Sequence, residues 1–204
     1  ARKLQQIATD SFDLPPQLIE PVQRILDVTL AHVTFLETQI ALVEQWITAE
    51  ALHLPAVRWL SSIPGIGPVF SSGIAAEIGD VQRFLQGTKW DPERKRFRAR
   101  NLRDAEDAVA KIAGLWWPRH SSGDFEAQDR RMAKSGNRYL RYYLVQAANQ
   151  LRQHVPEYAS FYARKHREAA KHHHKRALVL TARKSVGLLV GLLHGQEAYR
   201  SKET

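Results

Sequence analysis

Cysteine is absent from the 204 residues, which excludes disulfides, thiol nucleophiles and Cys-ligated zinc together. No uninterrupted apolar run reaches the roughly 18 to 20 residues that cross a bilayer, and no signal peptide opens the chain. The expectation is a cytoplasmic protein with no membrane partner. The two-residue alternation of half-buried strands is rare, so an all-α fold is the economical choice. Acidic residues are in the minority: 30 Lys and Arg stand against 21 Asp and Glu, a formal charge of +9. That surplus suits a polyanion, nucleic acid first and an anionic membrane surface second. With 44% hydrophobic residues, the chain has enough apolar side chain for one sizeable core, or a modest core with a helical arm. Its first residue is Ala1, and a longer parent protein is expected.

What is present is helical periodicity. From Ile19 the apolar positions step through Val22, Leu26, Thr29, Val33, Leu36, Ile40, Val43 and Ile47 in alternating threes and fours. This predicts a long amphipathic helix, either the seam of a coiled coil or a helix lying on its own core. Residues 1–54 are read as an N-terminal segment with this linker helix, and 55–204 as a helical domain. Within it, a helix-hairpin-helix is expected over 56–79, a basic insertion poor in apolar periodicity over 87–107, and a long loop over 114–129. C-terminal helices follow over 137–194, the first capped by Asn137 and broken at Pro156.

Four constellations bear on chemistry. In Ile63-Pro64-Gly65-Ile66-Gly67 the glycines Gly65 and Gly67 permit a tight turn and leave N–H groups uncovered at the next helix start, where phosphate binds. An ordinary helical corner is the alternative. The loop Arg119-His120-Ser121-Ser122-Gly123 sets hydroxyls beside a cation and a candidate base. Taken alone it reads more readily as a solvated turn. Lys134, Arg138 and Arg141 put cations at the start of the helix capped by Asn137, an arrangement its dipole disfavours unless an anion joins them. Adjacent His172, His173 and His174 point about 100° apart on a helix and cannot converge on one ion. With Lys175 and Arg176 they form a basic cluster instead. Trp116 and Trp117 read as core residues before base-stacking ones. The carboxylates Glu77, Asp80, Asp124, Glu126 and Asp129 form no set fit for two-metal phosphoryl transfer, so no cofactor is expected on this chain.

Taken together, these segments resemble the C-terminal domain of the insertion sequence 110 type of transposases, the bridge-RNA-guided recombinases. The resemblance runs from Ile63-Pro64-Gly65-Ile66-Gly67 through Ala75, Glu77, Ile78, Gly79, Asp80 and Arg83-Phe84 to Gly114-Leu115 and Ser122-Gly123. It continues in Lys134, Gly136, Asn137, Leu140, Arg141, Leu144, Ala147 and Ala148, and closes on Lys175-Arg176-Ala177 with Ala182-Arg183-Lys184. Two departures stand out: the stretch from Phe84 to Gly114 is longer than the family's, and Pro118-Arg119 falls one position late.

The resemblance implies that Ser122 is a nucleophile toward DNA, with His120 and Ser121 as neighbouring support. It also implies a bridge RNA as guide, and a RuvC-like domain outside this chain that carries the acidic residues and magnesium. The stepped helix becomes a coiled-coil linker joining copies into a homo-oligomer. DNA contacts are expected at Gly65, Gly67, Arg119, Lys134, Asn137, Arg138, Arg141, Lys175, Arg176, Arg183 and Lys184. The rival readings are a non-catalytic helix-hairpin-helix module of a repair or junction-binding protein, and an oligomerisation arm.

Overall fold

The computed structural model describes residues 11, 14–118, 121–122, 125–126, 132–133 and 135–201, with backbone alone at 121–122 and 125–126. It is mostly helical, as expected. The chain divides into two compact units, Ala1–Trp46 and Ile47–Thr204.

Helix α1 (Pro16–Ala51) begins in the first unit. Its stepped apolar residues lie exposed, among them Ile19, Val22, Leu26, Val33, Leu36, Ile40 and Val43. Thr29, Thr34 and Thr38 each return a hydroxyl hydrogen bond to the carbonyl four residues back, which satisfies these hydroxyls within the helix.

In the second unit, α2 (Pro55–Ser61) and α3 (Pro68–Ile78) each start on a proline, whose missing N–H costs nothing in a first turn. A short 3-10 helix, Val81–Phe84, follows the left-handed Gly79. Strands β1 (Thr88–Asp91) and β2 (Arg96–Ala99) pair antiparallel, with Trp90 opposite Phe97. Helix α4 (Leu102–Ile112) opens on a capping box between Asn101 and Asp104. Strands β3 (Ser121–Ser122) and β4 (Phe125–Glu126) form a second small antiparallel pair. Three helices close the unit: α5 (Arg138–His154), α6 (Pro156–Glu168) and α7 (His173–Gly195).

The core is built where α5, α6 and α7 pack on one another, with α3 against α5 and α4 against α7. Leu140, Leu144, Ala147, Ala148 and Leu151 recur at helical spacing on α5 and are all buried. They meet Ile74 and Ile78 of α3 and Val186 and Leu189 of α7 in one cluster. A Cβ on Gly73 would lie 2.4 Å from the Tyr143 ring, so that glycine lets α3 approach α5.

Within this mostly helical unit, the stretch 87–107 holds the hairpin β1–β2 and the first turns of α4. The hairpin lacks a buried face to give it a two-residue apolar pattern. Its position comes from ion pairs instead: Lys89 and Arg98 both reach the buried Asp104 carboxylate, at 2.7 and 2.6 Å. Their charges hold that carboxyl well below the usual range. Finally, α1 and α7 are each long and apolar enough, by length and composition, to cross a bilayer. Half of that stretch of α7 is buried as a core helix. The apolar length of α1 coincides with its stepped positions, interrupted by Glu20, Arg24, Asp27, Glu37 and Glu44.

Candidate functional site

The loop that carries Ser121 and Ser122 springs from a closed base. Helix α4 ends in a turn in which Gly114 N–H donates to the Lys111 carbonyl at 3.0 Å and Leu115 N–H to Ala110 at 2.8 Å. Across the loop, Ala133 N–H donates to the Trp116 carbonyl at 2.9 Å, and Asn137 N–H to the Ile112 carbonyl at 2.7 Å. The two ends of the loop are thereby stapled together. Gly114 and Gly136 make the closure: both have positive φ, and a Cβ on Gly136 would stand 2.5 Å from the Ile112 oxygen and 2.8 Å from the Gly114 nitrogen. Only glycine tolerates that approach in that conformation. Leu115 is fully buried beneath it.

The same closure sets the C-terminal end of α4 against the N-terminal end of α5. The partial negative charge of one helix end faces the partial positive charge of the other. Arg141 donates to the Ala113 carbonyl at 3.1 Å, so its charge sits at an orphan carbonyl of α4. Sequence reasoning called for an anion to relieve the cations on α5; for Arg141 the structure supplies a helix C-terminus. Arg138 lies over the Tyr139 ring at 4.8 Å and donates to its hydroxyl. Asn137 caps α5 by accepting from Tyr139 and Leu140 N–H at 2.9 and 3.0 Å, while its amide donates to Glu77 on α3. Both ends of that side chain therefore hold helices in place.

In the loop itself, Ser121 pairs with Glu126 and Ser122 with Phe125 along the β3–β4 ladder. Arg119, His120 and Lys134 lie outside the described residues, as do Gly123, Asp124 and Asp129.

The turn between α2 and α3 holds both glycines expected to contact DNA. Gly65 has φ +84°, and a Cβ there would meet His154 Cδ2 at 2.4 Å. It is packed on the end of α5, and its glycine is a structural demand. Gly67 has nothing within 4 Å of an added Cβ, and no side chain caps the first turn of α3. The open side of the turn is thus at Gly67.

The cations expected on α7 fall into two groups. Arg183 pairs with Asp107, and Lys184 pairs with Glu157 at 2.7 Å, which ties α7 to α4 and α6. Lys175 and Arg176 are exposed near its N-terminus. His173 and His174 hydrogen-bond to the His166 carbonyl and the Tyr162 hydroxyl, at 2.9 and 2.7 Å, rather than turning toward a common point. Among the described residues no group of three or more His, Asp or Glu side chains is arranged to hold a metal. Glu77 is engaged by Asn137, and Asp80 accepts from Gln82 N–H at 2.9 Å. A cleft of about 880 Å³ lies between α6, α7 and the C-terminal tail, lined by Tyr158, Lys184, Leu188 and Tyr199; none of the expected site residues except Lys184 lines it.

Sequence reasoning missed Gly114 as a hinge of the closure, and it missed Asp104. The signal for the first was the pairing of two glycines at the ends of one loop. For the second it was Asn followed three residues later by Asp at a helix start.

Two comparisons bear on this geometry. The transposase family IS116/IS110/IS902 matches the chain over residues 57–89 and 98–163, a span that includes the open turn, the loop and α5. A probable family 20 transposase of Pseudomonas aeruginosa is 27% identical over 142 residues, covering 70% of this chain and 35% of the relative. The chain thus spans about a third of that relative's length. Both similarities are to transposases.

Proposed function

From these matches as premise, we propose that the chain is the DNA-engaging, serine-bearing part of a transposase of the IS116/IS110/IS902 type, acting in the cytoplasm. Its parent protein carries a RuvC-like domain that holds magnesium, and a guide RNA selects the DNA. In the reaction the Ser122 hydroxyl oxygen attacks a DNA phosphodiester. An O–P bond forms, one P–O bond of the backbone breaks, and the released DNA hydroxyl takes up a proton. The serine proton passes to a base, for which His120 is the candidate on this chain. The phosphoserine ester conserves the energy of the broken bond, so rejoining needs no nucleotide cofactor. Magnesium bound by acidic residues of the RuvC-like domain would supply charge neutralisation at the phosphate.

The observation that carries this reading is the stapled base of the loop. A nucleophile needs a placed backbone, and Gly114, Gly136, Asn137 and Arg141 together pin both loop ends to helices of the core. Net charge supports a DNA partner. Gly67, Arg138, Lys175 and Arg176 offer contacts to phosphates, and Arg119 and Lys134 are assigned the same role from their cationic side chains. Arg183 and Lys184 are assigned to DNA as well, each from within an ion pair. Asn137 and Arg141 act by holding α5 and the loop, and Gly65 by holding the turn. The exposed stripe on α1 is assigned to a coiled coil with a second copy.

A strand-exchange assay in the full-length parent tests the reading. Ser122→Ala is expected to abolish recombinant product, and Ser121→Ala to leave a measurable fraction of it. Equal activity of both variants with the parent protein makes the chain a non-catalytic DNA-binding module.

A further inference from the structure

The hairpin β1–β2 has two unlike faces. Residues alternate sides along a strand, and Lys89 and Arg98 face Asp104 on α4, so the opposite pair, Trp90 and Phe97, faces away. Trp90 is 50% and Phe97 68% exposed. Their rings meet edge to face with centroids 5.3 Å apart. Large aromatics so exposed lose apolar burial for no structural return, since the hairpin is already anchored through Asp104.

At the turn end of the hairpin stand the exposed cations Arg94 and Lys95, while Arg96, like Arg98, falls on the Asp104 side of β2. Asp91 is occupied by the turn, where its carboxylate accepts from Glu93 and Arg94 N–H. Arg100 N–H closes the hairpin base on the Gly87 carbonyl. The family match skips residues 90–97, which are this aromatic pair and the turn between it. The feature is therefore something this chain has beyond what the match covers.

We propose that this hairpin face binds single-stranded DNA, with Trp90 and Phe97 stacking on unpaired bases and Arg94 and Lys95 of the turn meeting the phosphates. Aromatic faces framed by cations are the means by which proteins hold unpaired bases. A duplex presents phosphates but no base face, and would leave both rings unused. The inference rests on DNA being the substrate, where strand exchange exposes unpaired bases.

The test uses the full 204-residue chain and fluorescence anisotropy with three probes of about 12 nucleotides per strand: an oligo-dT, a DNA duplex and an oligo-rU. Trp90→Val combined with Phe97→Val keeps a β-branched cross-strand pair and removes both rings. Its thermal melting is expected to match the parent's. Affinity for oligo-dT should fall by about tenfold or more, with duplex affinity changed less than about twofold. Replacing Arg94 and Lys95 by Gln should lower the salt slope on oligo-dT by about 1. Unchanged oligo-dT binding, equal losses on strand and duplex, or a loss confined to oligo-rU overturns the proposal. A parent chain that binds oligo-dT through the rings but ignores duplex contradicts the proposed function and leaves the hairpin site standing.

Discussion

Asp104 ties the start of α4 to the hairpin β1–β2. It completes the capping box of α4 and accepts from both Lys89 and Arg98, so its replacement leaves two cations without their carboxylate and the Asn101 N–H without its acceptor, while the Asn101 cap itself remains. Because both cations remain partly solvated, Asp104→Ala should cost roughly 1 to 2 kcal/mol, measured by urea unfolding. The pH dependence follows from the direction of its shift. The folded carboxyl titrates below its unfolded value near 3.9, so the contribution is fully present above that value and is lost as pH falls through the folded one. The stability gap between the parent and Asp104→Asn should be constant from pH 7 to about 5 and shrink below about pH 4. A gap that widens on acidification contradicts the assignment.

The turn glycines separate at the same scale. Gly65→Val places a branched side chain at positive φ against His154 and should destabilise by at least about 2 kcal/mol. Gly67→Val meets open space at an ordinary φ of −82°, so it should melt with the parent and weaken duplex binding. If it melts with the parent and binds DNA unchanged, the turn is only a corner.

Among the elements, α5 was the most legible in the sequence, because three signals agree: Asn137 as cap, a face of Leu140, Leu144, Ala147, Ala148 and Leu151, and Pro156 beyond the end. The hairpin was illegible for the opposite reason. Its strands are four residues long, bury no face, and are placed by a carboxylate on the following helix. The stapled loop was half legible: its Gly and Ser content marked it as a loop, but its closure depends on α4 ending where α5 begins. That is a tertiary fact no local pattern carries.

Helix α1 yields the prediction at this scale. Its stepped residues are exposed in a single chain, and burying them is worth about 25 cal/mol per Å², which a second copy would supply. Light scattering should find a dimer, and Val33→Lys with Ile40→Lys should give monomers. A parent chain monomeric at high concentration removes the coiled coil.

At the scale of the whole molecule, the charge of +9 should show as salt-dependent DNA binding with little sequence preference. With about 5 phosphates neutralised, the log–log slope should lie near −4 to −5, and an affinity independent of salt would contradict a phosphate-led interface. The central claim is narrower: one oxygen, on a loop held at both ends by buried helices, becomes covalently attached to DNA. A serine hydroxyl is a weak nucleophile until a base or metal activates it, so the full-length parent with guide RNA and magnesium is the setting for its test. Boiling in detergent after the reaction leaves only covalent protein–DNA species on a gel. The account predicts such an adduct with the parent, none with Ser122→Ala, and a reduced amount with Ser121→Ala; an adduct of parental yield in Ser122→Ala would contradict it.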